Sequence, residues 1–179
     1  MRPGIAVRWA AAAGVVVLAV VLGWRVTHQQ KSVLKQVSKG KVVAAPNFDL
    51  PRLDAKGKLS LASLRGKAVV LNFWQSSCPP CKQEMPRLEA GAKRWAGKDV
   101  EIVGVDMLDA KFAGLAFRKR YGATYPMVLD KLGDTQVPYG VIGTPETFFI
   151  DRSGRIVKRV VGPVSTKELD TNIRTALAT

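Results

Sequence analysis

Cysteine is scarce in this chain of 179 residues: Cys78 and Cys81 are the only two, and His28 is the only histidine. A structural zinc ion takes four ligands, usually thiolates and imidazoles, so that role is excluded for metal. Covalent haem attachment asks for histidine directly after the second cysteine, where this chain has Lys82. Acids are also few: 14 against 28 lysines and arginines, a formal charge of +14. That excess favours anionic surfaces such as lipid headgroups, acidic partners or nucleic acid. No aromatics interleave with a basic cluster, and Arg118, Lys119 and Arg120 read as the solvated face of a helix, which argues against nucleic acid. There is no internal repeat and no low-complexity run.

What is present suffices for one folded domain, since 47% of the residues are hydrophobic. The first 26 residues differ in kind. Residues 9–24, WAAAAGVVVLAVVLGW, carry no charge and have a tryptophan at each end, as a bilayer-spanning helix would. A cleaved signal peptide is the rival reading, but no small-x-small site follows Gly23 closely. Residues 1–26 are therefore expected to be a membrane anchor, 27–45 a lysine-rich tether that holds His28, and 46–179 the domain. Counted alone, the flanking cations (Arg25, Lys31, Lys35, Lys39 and Lys41 against Arg2 and Arg8) would leave the domain in the cytoplasm. A working dithiol is most useful where disulfides otherwise persist, so the domain is expected on the outer side despite this count.

Periodicity divides the domain. Phe48–Leu50 and Leu59–Leu61 flank the turn-like DAKGK and predict a hairpin. KAVVLNFW (67–74) is a buried strand, followed by a helix with Met85, Leu88, Ala92 and Trp95 on one face and a stop at Gly97. VEIVGVDM (100–107) is a second buried strand, and Phe112, Leu115 and Ala116 mark the inner face of a second helix. Residues 147–151 and 155–162 are joined by three residues and must be antiparallel. Ser165 and Glu168 make a capping box before a last helix that buries Leu169, Ile173 and Leu177. The order βαβ then ββα predicts a mixed α/β sheet with helices on both faces.

Both cysteines fall in FWQSSCPPCKQEMP (73–86), at the turn from strand to helix. A disulfide closing so small a loop contributes little by chain entropy, so a purely structural staple is a weak explanation. A redox couple uses every neighbour. Cys78, at the mouth of the helix, has its thiolate favoured by backbone amides and the helix dipole and is the expected nucleophile. Cys81, one turn in and more buried, would resolve the mixed disulfide. Pro79 and Pro80 stiffen the turn, where a missing amide proton costs the helix nothing.

WQSSCPPCKQEMP, together with PNFDL and LSLASLRGKAVVLNFW upstream and GVIGTPETFFIDRSG downstream, resembles the membrane-anchored TlpA/ResA/CcmG (DsbE) group of thioredoxin-like thiol-disulfide oxidoreductases over roughly residues 45–175. The resemblance implies a thioredoxin-like fold with an added N-terminal hairpin and an N-terminal transmembrane helix. It implies that Pro145 is a cis-proline beside the dithiol, that the Thr144 backbone bonds a substrate strand, and that Trp74 shields the pair. An acid at Glu84 would tune cysteine ionisation and proton transfer, and Pro145-Glu146-Thr147 is most like the cytochrome-maturation members. Trp74, Pro79, Pro80, Thr144, Pro145 and Glu146 are thus the expected substrate-binding set, and Cys78, Cys81 and Glu84 the catalytic one, with no cofactor and no metal.

The implied function is reduction of specific protein disulfides on the outer side of the cytoplasmic membrane, such as the haem-binding cysteines of apocytochrome c, with a membrane electron donor restoring the dithiol. Reduced thiols need a local reductase where disulfides otherwise persist. A reductase serving copper-site assembly in an oxidase is an alternative. Copper transfer by this protein alone would need a distal histidine that the domain lacks. A peroxiredoxin shares the PNFDL-type opening, but Leu71 and Gln75 stand where its P-x-x-x-T-x-x-C pattern requires Pro and Thr. A passive tethered binding module would leave the dithiol unused.

Overall fold

The computed structural model describes residues 14–24 and 42–179. Residues 14–24 form helix α1, whose apolar side chains, Val15 to Leu22, are exposed. Among the described residues no helix is long and apolar enough to cross a membrane. The rest of the expected anchor and most of the tether lie outside the described residues.

The domain is built on one six-stranded sheet ordered β1-β8-β7-β4-β5-β6, with β2 and β3 paired apart from it. Its strands are β1 (Val43–Ala44), β4 (Ala68–Trp74), β5 (Val100–Met107), β6 (Met127–Asp130), β7 (Glu146–Ile150) and β8 (Arg155–Val161). Strands β4, β5 and β6 run parallel, while β7 and β8 are antiparallel to their neighbours. Strand β1 pairs with the start of β8 at Val43↔Ile156, so the sheet takes in residues 43 and 44 of the segment read as tether. The hairpin β2 (Asp49–Pro51) and β3 (Lys58–Ser60) is present within one residue of the expected stretches.

Every residue of β4 is buried, as the continuous apolar run requires of a strand covered on both faces. Val70 and Trp74 point into a core shared with α2 (Pro79–Trp95), α3 (Lys111–Arg120) and α5 (Thr166–Ala178). Val69, Leu71 and Phe73 point the other way, against the hairpin, the 3-10 turn Leu61–Leu64 and Tyr139 of the short helix α4 (Gln136–Tyr139). The three longer helices of the domain therefore share one face, while the short helix α4 and the 3-10 turn cover the other, so helices lie on both faces as expected but unequally. The cause is handedness. Two successive crossovers, β4 to β5 and β5 to β6, advance in the same direction, so right-handed connections put α2 and α3 on the same side.

Helix α3 also turns a different face inward. Phe112 is 78% exposed and Leu115 is on the surface, whereas Gly114 and Phe117 are buried. Gly114 sets the rotation, because a Cβ there would overlap Asp106 Oδ2, and only glycine lets α3 approach β5 so closely. The Ser165–Glu168 capping box opens α5.

Candidate active site

Strand β4 ends at Trp74, the chain turns, and α2 begins at Pro79 with Cys78 as its N-cap. The two sulfurs are joined at 2.08 Å. Cys78 keeps 7% of its surface and Cys81 none, so an incoming disulfide can reach only the first. Two prolines at the start of α2 remove two of the amides a helix mouth normally offers. The Cys81 amide remains, 3.2 Å from Cys78 Sγ.

Across from the turn, the Thr144–Pro145 peptide is cis, and the Thr144 carbonyl oxygen lies 3.4 Å from Cys78 Sγ. The Thr144 hydroxyl donates to Gln75 Oε1 at 3.3 Å, tying this loop to the turn. Pro145 precedes β7, whose pairing with β4 at Phe73↔Glu146 brings the loop beside the cysteines.

Trp74 and Glu146, expected to touch a client chain, have no exposed surface and act from behind the site. The Trp74 ring stacks on Phe117, with centroids 4.7 Å apart, and its indole packs on Gly104. Glu146 accepts from Arg159 Nε at 2.8 Å, pairs with its Nη2 at 2.6 Å and accepts from the Ile142 amide at 3.0 Å. Arg159 also donates to the Gly140 carbonyl. Glu146 is thus spent on fixing loop 140–145 to the sheet. Its ion-pair partner Arg159 lies in β8, one of three cations of that strand with Arg155 and Lys158.

Glu84, one turn beyond Cys81, is fully buried. Its carboxylate accepts from the Val164 amide at 2.9 Å and from Asn72 Nδ2 at 2.8 Å. Burial outweighs these bonds and the nearby Arg87 charge, and it pushes the carboxyl up to about 7. Near neutral pH such a group can take or give a proton. Asn72, which also donates to Thr147 Oγ1 at 3.0 Å, was not among the expected residues. The signal in the sequence was a lone amide inside the apolar run VVLNFW.

A second buried acid stands on the opposite side of β4. Asp106, paired in register with Trp74, has no exposed surface, and neither carboxyl oxygen has a hydrogen-bond partner among the described residues. Burial first, and the neighbouring Asp109 second, push it up to about 8. Asp109 itself accepts from the Ser76 amide at 2.6 Å and so steadies the turn that carries Cys78.

Residues 42–159 match the model of the AhpC/TSA family. The thiol-disulfide oxidoreductase ResA of Bacillus subtilis is 36% identical over 149 residues, which is 83% of this chain and 82% of that one. Among solved structures, a thiol:disulfide interchange protein of the thioredoxin family from Chlorobium tepidum superposes with a TM-score of 0.69 at 30% identity, over 76% of this chain and 97% of that one. StoA from Bacillus subtilis gives 0.63 at 26% identity, over 73% and 98%. The chain belongs to the AhpC/TSA family and, within its thioredoxin-like fold, to the TlpA/ResA/CcmG group of thiol-disulfide oxidoreductases.

Proposed function

We propose that this thiol-disulfide oxidoreductase works as a reductant of specific protein disulfides on the outer side of the cytoplasmic membrane, held there by residues 1–26, and that its clients are the haem-binding cysteines of apocytochrome c. The Cys78 thiolate attacks one sulfur of the client disulfide, and the other client sulfur leaves as a thiolate that takes up a proton. Cys81 then passes its proton to Glu84 and attacks Cys78 Sγ. The second client thiolate departs, the proton returns to it, and the Cys78–Cys81 disulfide is left. A membrane dithiol donor supplies two electrons and two protons to restore the enzyme. Thr144 and cis Pro145 hold the client strand, Pro79 and Pro80 border it, and Trp74 and Glu146 support the site from within.

The observation that carries this reading is the order of burial: an accessible sulfur in front, a fully buried sulfur behind it, and a buried carboxyl near neutrality one helical turn farther in. The direction of electron flow is supported by the prolines. Oxidants of this fold are those whose reduced form is stabilised, and here two of the amides that would stabilise a Cys78 thiolate are missing.

The test is a Cys81→Ser variant in membranes, which stops at the mixed disulfide. Capture of an apocytochrome c supports the proposal. Capture of an oxidase copper-site subunit would move the function to copper-site assembly, and absence of any mixed disulfide would overturn the reductase reading.

A further inference from the structure

Beside the active-site turn lies a cleft of about 200 Å³, with Ser76 and Lys82 on one side and Ala113, Phe117 and Arg120 of α3 and its C-cap Tyr121 on the other. Its apolar floor continues the aromatic stack that starts at Trp74: Phe117 lies 4.7 Å from Trp74 and 4.7 Å from Tyr121, and the Arg120 guanidinium sits 5.9 Å over the Tyr121 ring. Both cations are exposed. No acid lines the cleft, and among the described residues neither Lys82 nor Arg120 is in an ion pair. The other basic residue of this last helical turn that comes near an acid, Arg118, pairs with Asp54 at 2.8 Å. The cleft therefore holds two cations outside any described ion pair, the nearest acid on its rim, Asp109, being engaged with the Ser76 amide at 2.6 Å, over a surface suited to the methylenes of a side chain.

We infer that this cleft is a specificity subsite for the client polypeptide and takes a carboxylate side chain close to the client's reacting cysteine. This rests on the thiol-disulfide exchange reading and narrows it to clients of stated chemistry. Ser76 is two residues from Cys78, at most about 7 Å of extended chain. A client side chain two or three positions from its own cysteine can thus reach between Lys82 and Arg120 while the sulfurs meet. The volume accommodates one such side chain, and Arg120 offers a planar fork that matches a carboxylate. The cleft selects among clients and takes no part in the electron transfer.

The experiment compares two disulfide peptides, identical except for Glu or Lys two residues from the cysteine, with bis(2-hydroxyethyl) disulfide as an uncharged substrate without a side chain to bind. At low salt the wild type is expected to reduce the Glu peptide roughly tenfold faster in kcat/KM than the Lys peptide, and the preference should fade near 1 M salt. In Arg120→Ala and Lys82→Ala the preference collapses toward unity, while the rate with the uncharged disulfide changes less than about twofold. Lys119→Ala removes the same charge from the same helix outside the cleft and keeps the preference. Equal rates with both peptides in the wild type would overturn the inference, as would a preference that survives the Arg120 and Lys82 changes or falls equally in Lys119→Ala, since the last two trace it to the +14 field of the whole chain. If the wild type fails to reduce the uncharged disulfide as well, the exchange reading itself fails, and the subsite with it.

Discussion

Replacing Asp106 by Asn converts the least satisfied acid of the core into a neutral group of the same shape. In the folded protein Asp106 is raised from 3.8 to about 8, first by burial and then by Asp109. The folded state therefore holds this proton more tightly than the unfolded chain does. Stability from this group is complete below about pH 4 and is lost as pH climbs to about 8. A tenfold change in proton affinity is worth about 1.4 kcal/mol, so the full loss is on the order of 6 kcal/mol, of which roughly 3 kcal/mol falls between about pH 6 and about pH 9. Asp106→Asn has no such proton to lose. Equilibrium urea unfolding of both oxidised proteins, followed by tryptophan fluorescence at the two pH values, gives the comparison. Glu84 titrates in both, so its contribution cancels in the difference. The advantage of the variant should grow by roughly 3 kcal/mol toward high pH. A gap that stays constant to within about 0.5 kcal/mol would show that Asp106 is ionised throughout, or solvated, and would refute the argument.

Glu84→Gln removes the proton acceptor proposed for Cys81 and should slow resolution of the mixed disulfide by about 100-fold, with the first attack by Cys78 little changed; stopped-flow separation of the two phases reads this, and equal slowing of both would contradict the role. Arg159→Met leaves Glu146 buried without its cation and should cost about 3–5 kcal/mol in urea unfolding. The same variant frees loop 140–145 and should raise KM for a protein client more than for a small disulfide, a split that purely global destabilisation would not produce.

Much of this architecture follows from patterns visible in the chain. The run AVVLNFW can only be a strand buried on both sides, the helix-length link after it suits the parallel neighbour β5, and the short link between β7 and β8 makes that pair antiparallel. The turn at Cys78 is equally legible, because prolines right after a cysteine mark a helix start. Strand β6 escaped because Met127–Asp130 has only four residues and no alternation. The inner face of α3 was misjudged because Phe112 and Leu115 outrank Gly114 in hydrophobicity, while close approach to Asp106 demands the glycine. Within the site, Glu146 could be picked out from its motif. Its partner Arg159 could not, since their meeting depends on the β7–β8 register, where Glu146 faces Val161. Asp106 stands at the end of the run VEIVGVDM, and its burial arises only from the close packing of α3 across it at Gly114.

The central claim is that Cys78 is the reactive sulfur and Cys81 the shielded one. Its most direct measurement is the rate of iodoacetamide alkylation of each cysteine in the reduced protein as a function of pH, resolved by mass spectrometry of the modified peptides. The account predicts that Cys78 is modified at neutral pH at least about 100-fold faster than Cys81, in step with its own ionisation. Equal rates at the two sulfurs, or faster modification of Cys81, would contradict it.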